Sequence, residues 1–140
     1  MKARVTWVEG RTFAGMSGSG HGLLLGARHN EQPAPGPSPM ELVLLGTGGC
    51  AAFDVVHILE RGREAVTDCE VDLDAERADG DPAVFTRIHM RFVVSGRNLN
   101  PDKVDRAVAL SAEKYCSASA MLAKTATITR EIEIREEVAA

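Results

Sequence analysis

Residues 38–63, SPMELVLLGTGGCAAFDVVHILERGR, constrain the fold more than any other stretch of the chain. Ser38, Pro39 and Glu41 fit an N-cap, a first helical position and the third position of a capping box. In that device the two side chains each satisfy a backbone N–H that a helix start would otherwise leave unpaired. Apolar residues then continue to Leu59, and Glu60, Arg61 and Arg63 make a polar end with Gly62 as the stop. The pattern predicts one helix of about six turns. It is apolar on nearly every side, as a central buried helix is.

Inside this stretch Gly46, Gly48 and Ala51 also fit G-x-G-x-x-A, a form of the dinucleotide-binding fingerprint, and Glu70 stands near the distance expected of a ribose-binding acid. That reading needs a strand before the glycines and parallel strands joined by helical crossovers. The start signals at 38–41 and the alternating strands downstream favour helix instead. Three glycines within a helix cost roughly 1 kcal/mol each relative to alanine. Either tight helix–helix packing or clearance around the sulfur of Cys50 accounts for them, and the two are compatible. Asp54 lies one turn after Cys50 and His57 one turn further. This stripe suits thiolate chemistry, because a cation beside a thiol lowers its pKa; a histidine satisfied by Asp54 or a carbonyl is the ordinary alternative. Cys50 and His57 lack further ligands in the sequence, so no metal is expected.

The rest of the chain is organised around hairpins. ARVTWV, TFAGM and LLLGA, separated by EGR and SGSGHG, predict a small antiparallel meander, and RHNEQPAPGPSP is an exposed connector. CEVDLDAE and FTRIHMRFVVSG alternate strictly, placing Cys69, Val71, Leu73 and Ala75, then Ile88, Met90, Phe92 and Val94, toward a core. Asn100 and Pro101 open a second amphipathic helix running to about Tyr115, SASAML adds a short helical turn, and TATITREIEIRE closes the chain as a strand. The order βββ-α-ββ-α-β predicts an α+β fold with mainly antiparallel sheet. One domain is expected over 1–140: meander 1–27, connector 28–37 and helix/sheet body 38–140.

Composition narrows the function. A formal charge of -4, with one Trp, one Tyr and four Phe, suits neither a basic nucleic-acid footprint nor a base-stacking platform. The N-terminus lacks the apolar core of a signal peptide. No run approaches the roughly 18 uninterrupted apolar residues of a membrane span. A cytoplasmic chain with neither nucleic-acid nor membrane partner is therefore expected. Three cysteines, Cys50, Cys69 and Cys116, form no CxxC and no zinc pattern. Cys69, inward on an alternating strand, reads as an inert core thiol.

A cysteine on the helix that follows SPMELVLLGTGG, and a second in EKYCSAS, resemble the OsmC/Ohr family of thiol peroxidases, with an element order that matches over nearly the whole chain. The resemblance implies a two-layer α+β fold and an intertwined homodimer. It also implies reduction of organic hydroperoxides, and less efficiently of hydrogen peroxide, in oxidative-stress defence. By position, Cys50 matches the attacking (peroxidatic) thiol and Cys116 the resolving one. A sulfenic acid on Cys50 would condense with Cys116 to a disulfide, which an external dithiol reopens. No cofactor is implied.

Two positions depart from the family pattern. Members usually carry Glu directly after the helix-starting Pro, paired with an N-terminal Arg; here Met40 stands there, and Glu41 is rotated by about 100° around the helix. Arg11 in VEGRTF is the nearest match for the arginine, and Cys116 is followed by Ser117 rather than Pro. Arg11 and Glu41 are thus candidate site residues, with a solvated turn charge and a helix cap as their alternatives. The departures keep a rival alive: a non-enzymatic dimer of the same fold that binds a small molecule or senses oxidation.

Overall fold

The capping box at the start of the long helix is formed as expected. In the computed structural model, which describes residues 1–138, Glu41 N donates to Ser38 Oγ at 3.1 Å. Ser38 N donates in return to Glu41 Oε1 at 2.9 Å. Helix α1 then runs over Pro39–Arg61. Its end differs by one residue from the expected stop. Glu64 N reaches Leu59 O at 3.0 Å and Arg63 N reaches Glu60 O at 3.0 Å, a Schellman closure. The left-handed residue is Arg63, at φ 62°, rather than Gly62.

The chain forms two compact units, Met1–Leu45 and Gly46–Ala140, divided within α1 rather than at the connector. The N-terminal unit holds β1 (Ala3–Glu9), β2 (Thr12–Ser17) and β3 (Gly22–Gly26), an antiparallel meander in the order β1-β2-β3. Gly26, at φ 153°, and Gly36 sit where backbone comes too close for a side chain: a Cβ would fall 1.9 Å from Arg11 O and 2.2 Å from Leu24 O respectively. Every residue of β1 is exposed, with Trp7 at 66%.

The C-terminal unit holds β4 (Ala65–Arg77), β5 (Phe85–Arg97) and β6 (Thr127–Glu136) in the order β4-β5-β6. The strict alternation is realised: Cys69 pairs with Val94, Val71 with Phe92, Leu73 with Met90 and Ala75 with Ile88. Ile88, Met90, Phe92 and Val94 are each at most 1% exposed. The other face carries charge, with Arg91 hydrogen-bonded to Glu133 and Arg87 3.6 Å from Asp74. One pairing departs from the expected antiparallel pattern, because β6 runs parallel to β5. Helix α2 (Pro101–Leu110), a π-helical turn (Ser111–Tyr115) and helix α3 (Ser117–Leu122) form the crossover that a parallel pair requires.

The packing of α1 also differs from expectation. Thr47, Gly48, Ala51, Val55 and Leu59 form its buried stripe. Gly48 faces the sheet, where a Cβ would lie 2.6 Å from Leu73 Cδ1, so this glycine serves helix–sheet rather than helix–helix contact. Gly46 and Gly49 have nothing within 4 Å of a Cβ position. Leu45 is 59% exposed and Phe53 71%. The helix is therefore buried on one side only in the single chain. By length and apolar composition α1 is also long enough to cross a membrane, though it carries the packed stripe of a fold helix.

Candidate active site

Cys50 stands half-buried near the middle of α1, between its buried stripe and its open face. The crossover brings Cys116 to it. The sulfurs of Cys50 and Cys116 and a carboxylate oxygen of Asp54 all lie within 4.8 Å of one another. Asp54 is there because four residues of α-helix return a side chain to the same face as Cys50. Cys116 is there because the π-turn delivers it to the junction before α3. Widened turns of this kind insert a residue into the helical repeat and so re-aim the side chains beyond it.

Ser111, the first residue of the π-turn, is fully buried. Its Oγ donates to Asp54 Oδ2 at 3.0 Å, with the Ala51 carbonyl at 3.5 Å. This bond ties the crossover to α1 and fixes the carboxylate beside the sulfurs. Cys116 is 3% exposed and acts as the N-cap of α3. Its Sγ accepts from Ser119 N at 3.4 Å and from Ser119 Oγ at 3.1 Å.

These surroundings set the thiol chemistry. Burial pushes the Cys116 thiol above its ordinary pKa; the Ser119 donors oppose that shift and the neighbouring Cys50 adds to it. Cys116 is thus held as a thiol with two donors in place for a negative sulfur. Cys69 differs. Burial first, and then the carboxylates of Asp68 and Glu70, push its thiol up to about 11. Among the described residues, its surroundings disfavour a thiolate.

The other sequence candidates fall elsewhere. His57 is exposed and stacks on Phe53, with centroids 6.0 Å apart and planes 11° apart, so it is not part of the sulfur cluster. Glu41 is engaged in its cap, where the Ser38 backbone N–H and hydroxyl lower its pKa. Arg11 lies in the β1–β2 turn, where Nη1 donates to Gly10 O at 3.2 Å and the side chain borders a cavity of about 480 Å³ with His29 and Glu9. Arg11 and Glu41 belong to the N-terminal unit and both sulfurs to the C-terminal one.

Ser111 and Ser119 were missed in the sequence. Ser119 had a signal, since Cys116-x-x-Ser119 has the spacing of an N-cap and its third helical residue. Ser111 had none, because its role depends on the π-turn. A shallow, mainly apolar cavity of about 410 Å³ lies on the open face of α1, lined by Gly49, Phe53, Val56 and His57 among others.

Comparison with known proteins agrees with this architecture. The chain is 52% identical over 134 residues to Protein YhfA of Escherichia coli, covering 96% of this chain and 98% of that protein. A hypothetical protein from Aquifex aeolicus has a solved structure 27% identical to it, with a TM-score of 0.85 over 98% of this chain and 97% of that one. The organic hydroperoxide resistance protein OhrB of Bacillus subtilis, 20% identical, shares the fold with a TM-score of 0.63 over 95% and 98% of the two chains. The OsmC-like protein family profile matches residues 29–131, and together with the likeness to YhfA this establishes that the chain belongs to the OsmC-like protein family.

Proposed function

We propose that the protein is a thiol-dependent peroxidase that reduces organic hydroperoxides through a Cys50–Cys116 cycle. The observation that carries the reading is the approach of the two sulfurs to within 4.8 Å, from elements far apart in the chain. Cys50 thiolate attacks the terminal oxygen of ROOH; the O–O bond breaks, ROH leaves after taking a proton, and Cys50 becomes a sulfenic acid. Cys116 then attacks that sulfur and displaces the oxygen as water, closing the disulfide. Closure needs the sulfurs to reach about 2.05 Å, a movement of under about 3 Å. An external dithiol reopens the bond by exchange, so the cycle needs no bound cofactor. Before it attacks, Cys116 must lose the proton that burial favours; the Ser119 donors and the adjacent Asp54 carboxylate stand where that proton is given up.

The apolar cavity beside Gly49 favours an alkyl or aryl hydroperoxide over hydrogen peroxide, because only the former buries apolar surface there. We place the cycle in the cytoplasm, where dithiol reductants are abundant. Arg11 is the cation proposed to assist Cys50, and Glu41 acts chiefly as a cap.

A homodimer completes the proposal. A three-stranded meander needs an apolar face packed on something to be stable. Here Val5, Trp7 and Leu23 are exposed, as are Leu45 and Phe53 on α1. A second copy covering these surfaces accounts for them together. Leu45→Glu with Phe53→Glu is expected to give monomer in sedimentation; a monomeric wild-type protein would contradict this part.

Met40, apolar where the family carries Glu, favours one second reading: a dimer that senses oxidation through the same pair with little turnover. Dithiol-dependent consumption of cumene hydroperoxide separates the two. Sustained turnover that vanishes in Cys50→Ser supports the peroxidase, whereas a single disulfide-forming event without turnover supports the sensor.

A further inference from the structure

We infer that the reduced Cys50–Asp54–Cys116 cluster is a binding site for one thiophilic divalent cation of the zinc type. No pair of these residues forms a recognisable metal motif in the sequence; the crossover assembles them. Two sulfurs and one carboxylate oxygen lie within 4.8 Å of one another. Zinc in tetrahedral geometry takes sulfur at about 2.3 Å, which sets two sulfur ligands about 3.8 Å apart. The two sulfurs therefore need to close by at most about 1 Å and each sulfur–oxygen pair by at most about 1.3 Å, within reach of small χ1 rotations.

The donor set is selective. Two thiolates and one carboxylate suit a borderline-soft cation, whereas magnesium and calcium require oxygen cages. Three protein ligands leave a fourth position for water, the usual arrangement of open zinc sites. The Ser111 hydroxyl holds the ligating carboxylate from behind at 3.0 Å, as outer-sphere partners of metal ligands do. His57 is stacked away on Phe53 and is no part of the set. Binding exchanges the two thiol protons for the cation. It ties up the electron pairs Cys50 and Cys116 would use in disulfide formation, so an occupied site is closed to hydroperoxide. The cation is thus a competing occupant of the thiols, not a cofactor.

The test is titration of fully reduced, chelator-free protein with Zn²⁺ by calorimetry, repeated with Co²⁺ to follow thiolate-to-metal charge-transfer absorption. One Zn²⁺ per chain is expected, with the cobalt band present and magnesium silent. Cys50→Ser and Cys116→Ser should each weaken zinc at least 100-fold and reduce the cobalt band. Asp54→Asn should weaken zinc about tenfold or more, and Ser111→Ala about tenfold. Cys69→Ser should bind as wild type. Should Cys116→Ser fold poorly, Cys50→Ser and Asp54→Asn carry the decision, since both positions are only half-buried. Absence of stoichiometric binding, or affinity unchanged in Cys50→Ser and Asp54→Asn, overturns the inference. The titration contains no peroxide. Zinc binding without hydroperoxide reduction would keep this site and remove the proposed function, and the reverse outcome would do the opposite.

Discussion

Cys69 and the Cys50–Cys116 pair belong to the same unit of the molecule and differ in almost everything that governs a thiol. Cys69 sits on a regular strand opposite Val94, between two carboxylate-bearing neighbours, and its pKa is pushed up to about 11. Cys116 is the more deeply buried, yet its sulfur accepts two bonds from Ser119 and faces a second sulfur and a carboxylate. Burial raises both thiols and therefore does not by itself tell the two settings apart. The two differ in whether a charged or attacking sulfur has donors and a partner in place.

The contrast can be broken most severely at Cys50. Cys50→Ser is expected to lower hydroperoxide turnover by on the order of 1,000-fold or more, since it removes the proposed nucleophile; an enzyme-coupled peroxide assay reads this. Cys116→Ser should still consume the first equivalent of hydroperoxide quickly but form no intramolecular disulfide, so that catalytic turnover is lost. Its Cys50 should advance to the sulfinic acid under excess oxidant, visible as a mass gain of two oxygens. Arg11→Ala is expected to slow the first oxidation of Cys50 by about tenfold, if its charge favours the thiolate, measured by stopped-flow in a single turnover. Unchanged rates would remove Arg11 from the site.

The smallest effect sharpens the inert side of the comparison. Cys69→Ala should leave turnover as in wild type. Its consequence is alkaline: the folded pKa, about 11, exceeds the ordinary value of 9.0, so the folded state keeps a proton the unfolded chain releases. The contribution of this one thiol to stability is therefore fully present below about pH 9 and is lost as pH rises through about 11. Unfolding free energies from urea titrations at pH 8 and pH 10.5 should fall further in wild type than in Cys69→Ala.

Local signals were readable in the sequence. Ser38–Glu41 announced the helix start because capping is decided within four residues, and period-2 alternation exposed the inward faces of β4 and β5. The positions of Cys50 and Cys116 were legible only as a resemblance; their approach depends on a crossover no local pattern encodes. Ser111 and the π-turn have no local signature, because helical residues in either geometry have the same composition. The parallel pairing of β6 follows from the path of the crossover rather than from its own residues. Arg63 adopts the left-handed cap although Gly62 is adjacent, since the hydrogen bonds from Arg63 and Glu64 back to Glu60 and Leu59 fix which residue must turn. The open face of α1 was misjudged for a different reason: apolar composition says that a surface is covered, not that its own chain covers it.

Cys50 and Cys116 are proposed to form one redox couple while Cys69 stands apart. One equivalent of cumene hydroperoxide added to the fully reduced protein, followed by alkylation and mass-spectrometric thiol mapping, tests it most directly. The expected product is a rapid Cys50–Cys116 disulfide, absent in Cys50→Ser, with Cys69 recovered as free thiol. Three unmodified thiols, a disulfide that includes Cys69, or Cys50 over-oxidised without a disulfide would contradict it.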